Sequence, residues 1–207
     1  MLQILLAAVL AAAPAPTPRP PVPAATPRAA RALPPATWRI DVTHSELTFR
    51  IRHLVSRVRG TFRQWSGTLT SDSTDWGTGA VQVTIQTASI FTDNDRRDNH
   101  LRSPDFFAAD SFPSITFQST RVTRTGDDLR IEGNLTIRGV TRPVVLTGAF
   151  TGFTRSAQGE QRVGFQASAR INRLDYGVAW NRAVDGGGVL LGDDVTIEIA
   201  IEAVRQP

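Results

Sequence analysis

The chain's 207 residues are 41% hydrophobic and 20% charged, enough length and apolar content for one domain with a sizeable core, which excludes disorder along the whole chain. It contains no cysteine, so disulfide frameworks, thiolate zinc sites, iron–sulfur clusters and thiol catalysis are excluded together. The net charge is +4 and the pI near 11.0, yet all 23 basic residues are arginine; a small excess of groups that never deprotonate gives the high pI, and no nucleic-acid partner is implied.

Residues 1–13, MLQILLAAVLAAA, are apolar except for Gln3. A dozen apolar residues fall short of the roughly 20 that span a membrane, so the segment reads as an export signal and predicts a secreted protein. Residues 14–37 follow as a Pro/Ala-rich linker: nine of the 13 prolines lie between Pro14 and Pro35, a composition that stays extended and builds no core. The linker's Arg19, Arg28 and Arg31 supply three of the four excess positive charges. Transient contact with an anionic membrane is expected there, because residues 38–207 hold 20 arginines against 19 acidic residues and are nearly neutral.

From Trp38 onward apolar and polar residues alternate, the mark of half-buried strands. Leu47, Phe49 and Ile51 alternate with Thr48, Arg50 and Arg52. A run from Val58 to Leu69 follows, then Val81, Val83 and Ile85. Residues 92–102 break the pattern. Thr92 with Asp95 three later forms a capping box, Asp98 and Arg102 are spaced as a helical pair, and Ser103-Pro104 is a stop, so a short helix crosses here. Phe106-Phe107 after it is bulky and outside any strand, and is expected to bury against an end of the sheet structure. Strands resume at Ile115–Val122, Leu129–Ile137, Val144–Phe153, Val163–Ile171 and Val195–Val204. Gly126 and Gly159 supply hairpin turns, and Gly133, Gly148 and Gly164 inside strands predict bends or bulges that curl a sheet. Together these seven or eight runs predict an all-β fold, a closed antiparallel barrel of about eight strands with one short crossing helix.

The chemistry-bearing residues are few. His44, His53 and His100 are the only histidines, and no two stand at a metal-ligand spacing, so no metal is assigned. There is no G-x-S-x-G elbow or phosphate-binding loop, and with no lysine there is no Schiff-base chemistry. Gly186-Gly187-Gly188 lacks a strand-to-helix context, and Asp127-Asp128 and Asp193-Asp194 fall in turns, where aspartate serves local structure. No catalytic residue and no cofactor are therefore assigned. What remains favours binding. A barrel of about eight strands either fills with side chains or holds one small ligand. Its candidate inward positions, Phe49, Ile51, Phe62, Val83, Ile85, Phe117, Ile137, Phe165, Ile197 and Ile199, are apolar. His53 shares the parity of Phe49 and Ile51, and with Arg96 is a candidate to face a polar head group at an opening.

Trp38-Arg39-Ile40-Asp41, His44-Ser45, Phe49, His53-Leu54, Gly60-Thr61-Phe62, Arg97 to Ser103 with Asp105-Phe106-Phe107, Pro113 to Phe117, Gly133 to Thr141 and Ile171 to Gly177 occur in order across residues 38–204. Taken together they resemble the YceI-like family of lipocalin-like, polyisoprenoid-binding proteins. The resemblance implies an eight-stranded antiparallel barrel with a helix packed against it, an elongated apolar cavity for an isoprenoid or similar long-chain lipid, a quinone or a prenyl phosphate, export to the periplasm, and no known catalytic residue. Departures from the family are Trp65, which would narrow the cavity if it points inward, Tyr176, and arginine in place of every lysine. Two rival readings stay open, a lipid-modifying enzyme in the same cavity and a stress-response protein with a solid barrel, and homodimerisation is left open as well.

Overall fold

The computed structural model describes residues 35–72, 75–184 and 187–207. The export signal and nearly all of the linker lie outside the described residues. The strands are β1 (Ala36–Ile40), β2 (Glu46–His53), β3 (Ser56–Phe62), β4 (Trp65–Asp72), β5 (Asp75–Gln86), β6 (Ile90–Phe91), β7 (Ser114–Thr125), β8 (Asp128–Ile137), β9 (Val140–Arg155), β10 (Gln161–Asn172) and β11 (Leu191–Arg205), with one α-helix, α1 (Asp95–Arg102). Eight of them close an antiparallel ring in the order β1-β4-β5-β7-β8-β9-β10-β11, and the ring is sealed by pairing of Trp38–Ile40 with Ala203–Arg205. Closure leaves the ring without an unpaired edge. Where β1 ends, β2 takes over as the partner of β11, matching Leu47, Phe49 and Ile51 with Ile199, Ile197 and Val195, and β3 and β6 continue outward from it.

The alternation read from the sequence decides which side of each strand is dry. Facing positions on neighbouring strands carry Phe165 beside Ile201, Ala167 beside Ile199 and Ile171 beside Val195, all pointing inward. The expected single run from Val58 to Leu69 is two strands. Parity is the reason: the inward residues are even-numbered through Phe62 and odd-numbered from Trp65, so the chain turns at Arg63-Gln64, whose backbone bonds Ser89 and Gln86. Gly164 marks a register shift between β9 and β10, and Gly133 lies opposite one between β7 and β8. Gly148 marks no bulge; there the β10 backbone at Gln166-Ala167 approaches so closely that no Cβ fits.

The helix begins later than expected. Its N-cap is Asn94, whose Oδ1 accepts the Arg97 N–H at 2.9 Å, rather than Thr92. The expected Asp98–Arg102 pair is not made either. Asp98 turns inward, 2% exposed, and accepts from both the backbone N–H and the hydroxyl of Thr92. Arg102 instead donates to Ala88 O, Ile90 O and Asn99 Oδ1. An exposed i,i+4 ion pair is worth only a few tenths of a kcal/mol, less than satisfying a buried N–H. Arg97 completes the knot by donating to the Thr92 hydroxyl and carbonyl, both at 2.7 Å, which ties α1 to the end of β6. Asp98→Ala leaves two buried donors without an acceptor and is expected to cost about 2–3 kcal/mol. A drop in the urea midpoint at constant m-value checks this, and Asp98→Asn, which keeps an acceptor, should lose less.

Candidate ligand cavity

The barrel interior is not filled. It encloses a cavity of about 790 Å3 whose wall is drawn from every strand but β6. Val195, Ile197, Ile199 and Ile201 line it at four successive inward positions of β11, so it runs at least about 20 Å along that strand at roughly 3.3 Å per residue. Beside the far end of the cavity, aromatic rings pack together: Trp76 stacks edge-on against Phe165 at 4.8 Å and lies 5.4 Å from Trp38, while Phe150 meets Phe165 at 5.7 Å. At the α1 end the wall becomes mixed. Phe106, Phe107 and Trp180 stand there with His53, Asn94, Arg96, Arg97 and His100. His100 is edge-on to both Phe106 and Trp180 at 4.9 Å, with its Nε2 2.8 Å from Asp105 Oδ2.

All fourteen residues singled out from the sequence lie on this wall: Phe49, Ile51, His53, Phe62, Val83, Ile85, Arg96, Phe106, Phe107, Phe117, Ile137, Phe165, Ile197 and Ile199. Trp65 also points inward. Sequence reasoning did not place Trp76, Tyr176, Trp180 or Leu191 there. Trp76 precedes the alternating part of β5, and Trp180 sits in irregular chain between β10 and β11, so neither carries a periodic signal. Three of the four aspartates expected in turns are engaged structurally: Asp127 meets Arg124 at 3.3 Å, while Asp193 and Asp194, which lie within β11 and not in a turn, meet Arg173 at 3.3 Å and approach Arg170 at 3.8 Å. None of these aspartates lines the cavity.

Two buried polar groups shape the α1 end of the barrel. Arg173, 4% exposed, donates to the carbonyls of Gly192, Val178 and Trp180 and to Asp193. Burial pulls its guanidinium below the usual arginine range, and Asp193 opposes the shift. Tyr176 is 1% exposed, and burial, helped by the charge of Asp175 and opposed by Arg142, pushes its phenol up to about 12 from 10.0. It is the only tyrosine in a chain without lysine or cysteine, so no other side chain titrates between about pH 9 and 12. A phenol with a raised folded-state pKa stabilises fully below its unfolded value. That stability is lost as pH climbs from about 10 through about 12, by roughly 2–3 kcal/mol. Tyrosinate absorbance should therefore show a folded-state midpoint near 12 that returns to about 10 in urea, and Tyr176→Phe should flatten the alkaline limb of stability.

Beyond the cavity wall, the ring closure carries a polar cluster of Asp41, His44, Glu202, Arg162 and Glu160. His44 Nδ1 is 2.8 Å from Asp41 Oδ2, and the hydrogen bond from His44 chiefly holds the Asp41 carboxyl below its usual range, against desolvation. The ligand-type atoms of Asp41, His44 and Glu202 lie within 4.8 Å of one another. Arg162 donates to both carboxylates and to Glu160, and so supplies the positive charge a metal would bring.

A family model for the YceI-like domain matches residues 38–203. A UPF0312 protein of Staphylococcus aureus (strain bovine RF122 / ET3-1) is 41% identical over 164 residues, 78% of this chain and 94% of that protein. Among solved structures, the YCEI protein of Campylobacter jejuni is 30% identical with a TM-score of 0.66, over 81% of this chain and 96% of that one. BcnA of Burkholderia cenocepacia (21% identity, TM-score 0.69, 79% and 98% covered) shares the fold. So does a polyisoprenoid-binding domain from Saccharophagus degradans implicated in plant cell wall breakdown (16%, 0.61, 82% and 98%).

Proposed function

The chain belongs to the YceI-like domain family, and from that premise we propose that it is a periplasmic carrier that holds a polyisoprenoid, a quinone or a prenyl phosphate, in its barrel. One observation carries the reading: a continuous, elongated cavity of about 790 Å3, apolar along the strands but for Thr48 and Thr70, with its arginine and histidine side chains gathered toward the α1 end. Support from likeness is the polyisoprenoid-binding domain of Saccharophagus degradans, which has the same fold. An isoprenoid tail is insoluble, and burying roughly 500 Å2 of it gains on the order of 12 kcal/mol before several kcal/mol of lost freedom are deducted. That balance favours tight but reversible holding. The apolar wall grips the tail, while His53, Arg96 and the neighbouring Asn94 meet the head group. If a chain carbon takes about the room of a water, about 30 Å3, 790 Å3 accommodates on the order of 25 carbons, or about five isoprene units. The apolar run at residues 1–13 supports export to the periplasm.

Native mass spectrometry of protein purified without added lipid tests the reading. The expected spectrum carries an adduct with the mass of an isoprenoid lipid, and in titrations affinity rises with tail length up to about five units and then levels off. A protein that emerges empty and also refuses quinones and prenyl phosphates would overturn it.

A further inference from the structure

The turn between β2 and β3 ends in an apolar tip that none of the described residues covers. Val55 is fully exposed, and Leu54, held at a left-handed φ of 50°, is 41% exposed. Leu54 N–H donates to Leu190 O at 2.9 Å, which sets the tip beside Val189, itself 41% exposed. The chain on either side of this patch forms the cavity wall: His53 and Val58 on the hairpin, Leu190 and Leu191 on the adjoining loop and strand. The tip therefore stands at the rim of the cavity.

Charge along the same hairpin is divided. Farther from the tip, Arg50 and Arg59 face each other and are neutralised by Glu198 and Glu46. One step nearer, Arg52 and Arg57 also face each other, and neither meets a carboxylate among the described residues. Among the described residues, the Arg52 guanidinium donates only to Leu54 O, at 3.2 Å. Like charges directly opposite across strands are destabilising, so an uncompensated pair just behind an exposed apolar tip calls for an anionic surface from outside the chain. Arg96 stands on the same rim, but Asp93 and Asp95 lie beside it in sequence, so the hairpin carries the argument.

From this arrangement we infer that the β2–β3 hairpin docks the barrel onto an anionic lipid bilayer, Val55 and Leu54 entering the interface and Arg52 and Arg57 meeting lipid phosphates. A narrow apolar projection flanked by cations suits a deformable headgroup layer, whereas a protein partner would need a broader complementary face. The docking also sets the cavity rim against the membrane from which a long-chain lipid would enter.

Co-sedimentation of the full chain with phosphatidylcholine vesicles, with and without phosphatidylglycerol, tests this independently of what fills the cavity. Binding is expected to require phosphatidylglycerol and to weaken with salt. Replacing both Arg52 and Arg57 by Gln should weaken it about 30-fold, since each arginine near the surface contributes about a fivefold factor. Val55→Asp, at a side chain with no buried surface to lose, should weaken it at least tenfold at an unchanged thermal midpoint. Arg155→Gln, on the hairpin at the opposite end, should change nothing. Vesicle binding that survives the double variant and Val55→Asp would assign membrane contact to the N-terminal segments and overturn the inference. A chain that ignores vesicles but self-associates through the tip would overturn it too. Neither outcome touches the lipid adducts read by mass spectrometry, so failure here and failure of the carrier reading are separable.

Discussion

Ala167→Trp is expected to weaken tail binding by two to three orders of magnitude while leaving the barrel folded. Ala167 faces the cavity from the middle of β10, with Ile199 beside it on β11 and Gly148 on β9. An indole here enters space that is empty, so it neither overpacks a neighbour nor strains the sheet. It takes that space from the ligand. Displacing on the order of five chain carbons at about 0.8 kcal/mol each removes about 4 kcal/mol, two to three orders of magnitude in affinity. Fluorescence titration with a short-chain quinone measures the loss, and Ser168→Trp, one residue along and pointing outward, is the matched control. Undiminished binding by Ala167→Trp would place the ligand elsewhere than the barrel.

Arg173→Met is expected to be the most destabilising single change in the α1 end of the barrel. The guanidinium reaches three carbonyls and one carboxylate from a 4% exposed position. Methionine fills the volume but leaves those acceptors without a donor. The cost is about 3–5 kcal/mol, or a fall of about 10–15 °C in thermal midpoint for a domain of this size. Lysine does not rescue it, because a single ammonium cannot span the fork that serves Gly192, Val178 and Trp180. The same bonds hold the chain that carries Trp180 and Leu190 onto the cavity wall. Ligand release should therefore quicken in this variant. A stability within 1 kcal/mol of the wild type would show that water replaces the arginine.

How much of this was legible beforehand follows from the range over which each feature is encoded. Period-two alternation is local, so Phe49, Ile51, Val83, Phe117, Phe165, Ile197 and Ile199 could be placed on one face of their strands from spacing alone, and all seven lie on the cavity wall. The break between β3 and β4 was encoded too, in the change of inward parity between Phe62 and Trp65, but it is easily read through as one long run. Helix capping went astray for a different reason. Thr92 suits an N-cap on propensity, yet the buried carboxylate of Asp98 claims both its N–H and its hydroxyl, and Asn94 caps instead.

Composition and spacing by themselves determined that this chain is a run of antiparallel strands without thiol or lysine chemistry, and which strand faces are dry. Those properties reside in neighbours two residues apart and in residue types that are simply missing. Only the tertiary structure decided that the barrel is hollow, because whether inward side chains meet across the middle depends on how many strands close the ring and how they tilt. It alone joined Arg162 to Asp41, 121 residues away, and Arg173 to the carbonyl of Gly192 on β11, 19 residues on. It alone left Arg52 and Arg57 facing each other without a counter-charge among the described residues while Arg50 and Arg59 found theirs, since partnership across strands is set by register, and register is fixed when the ring closes.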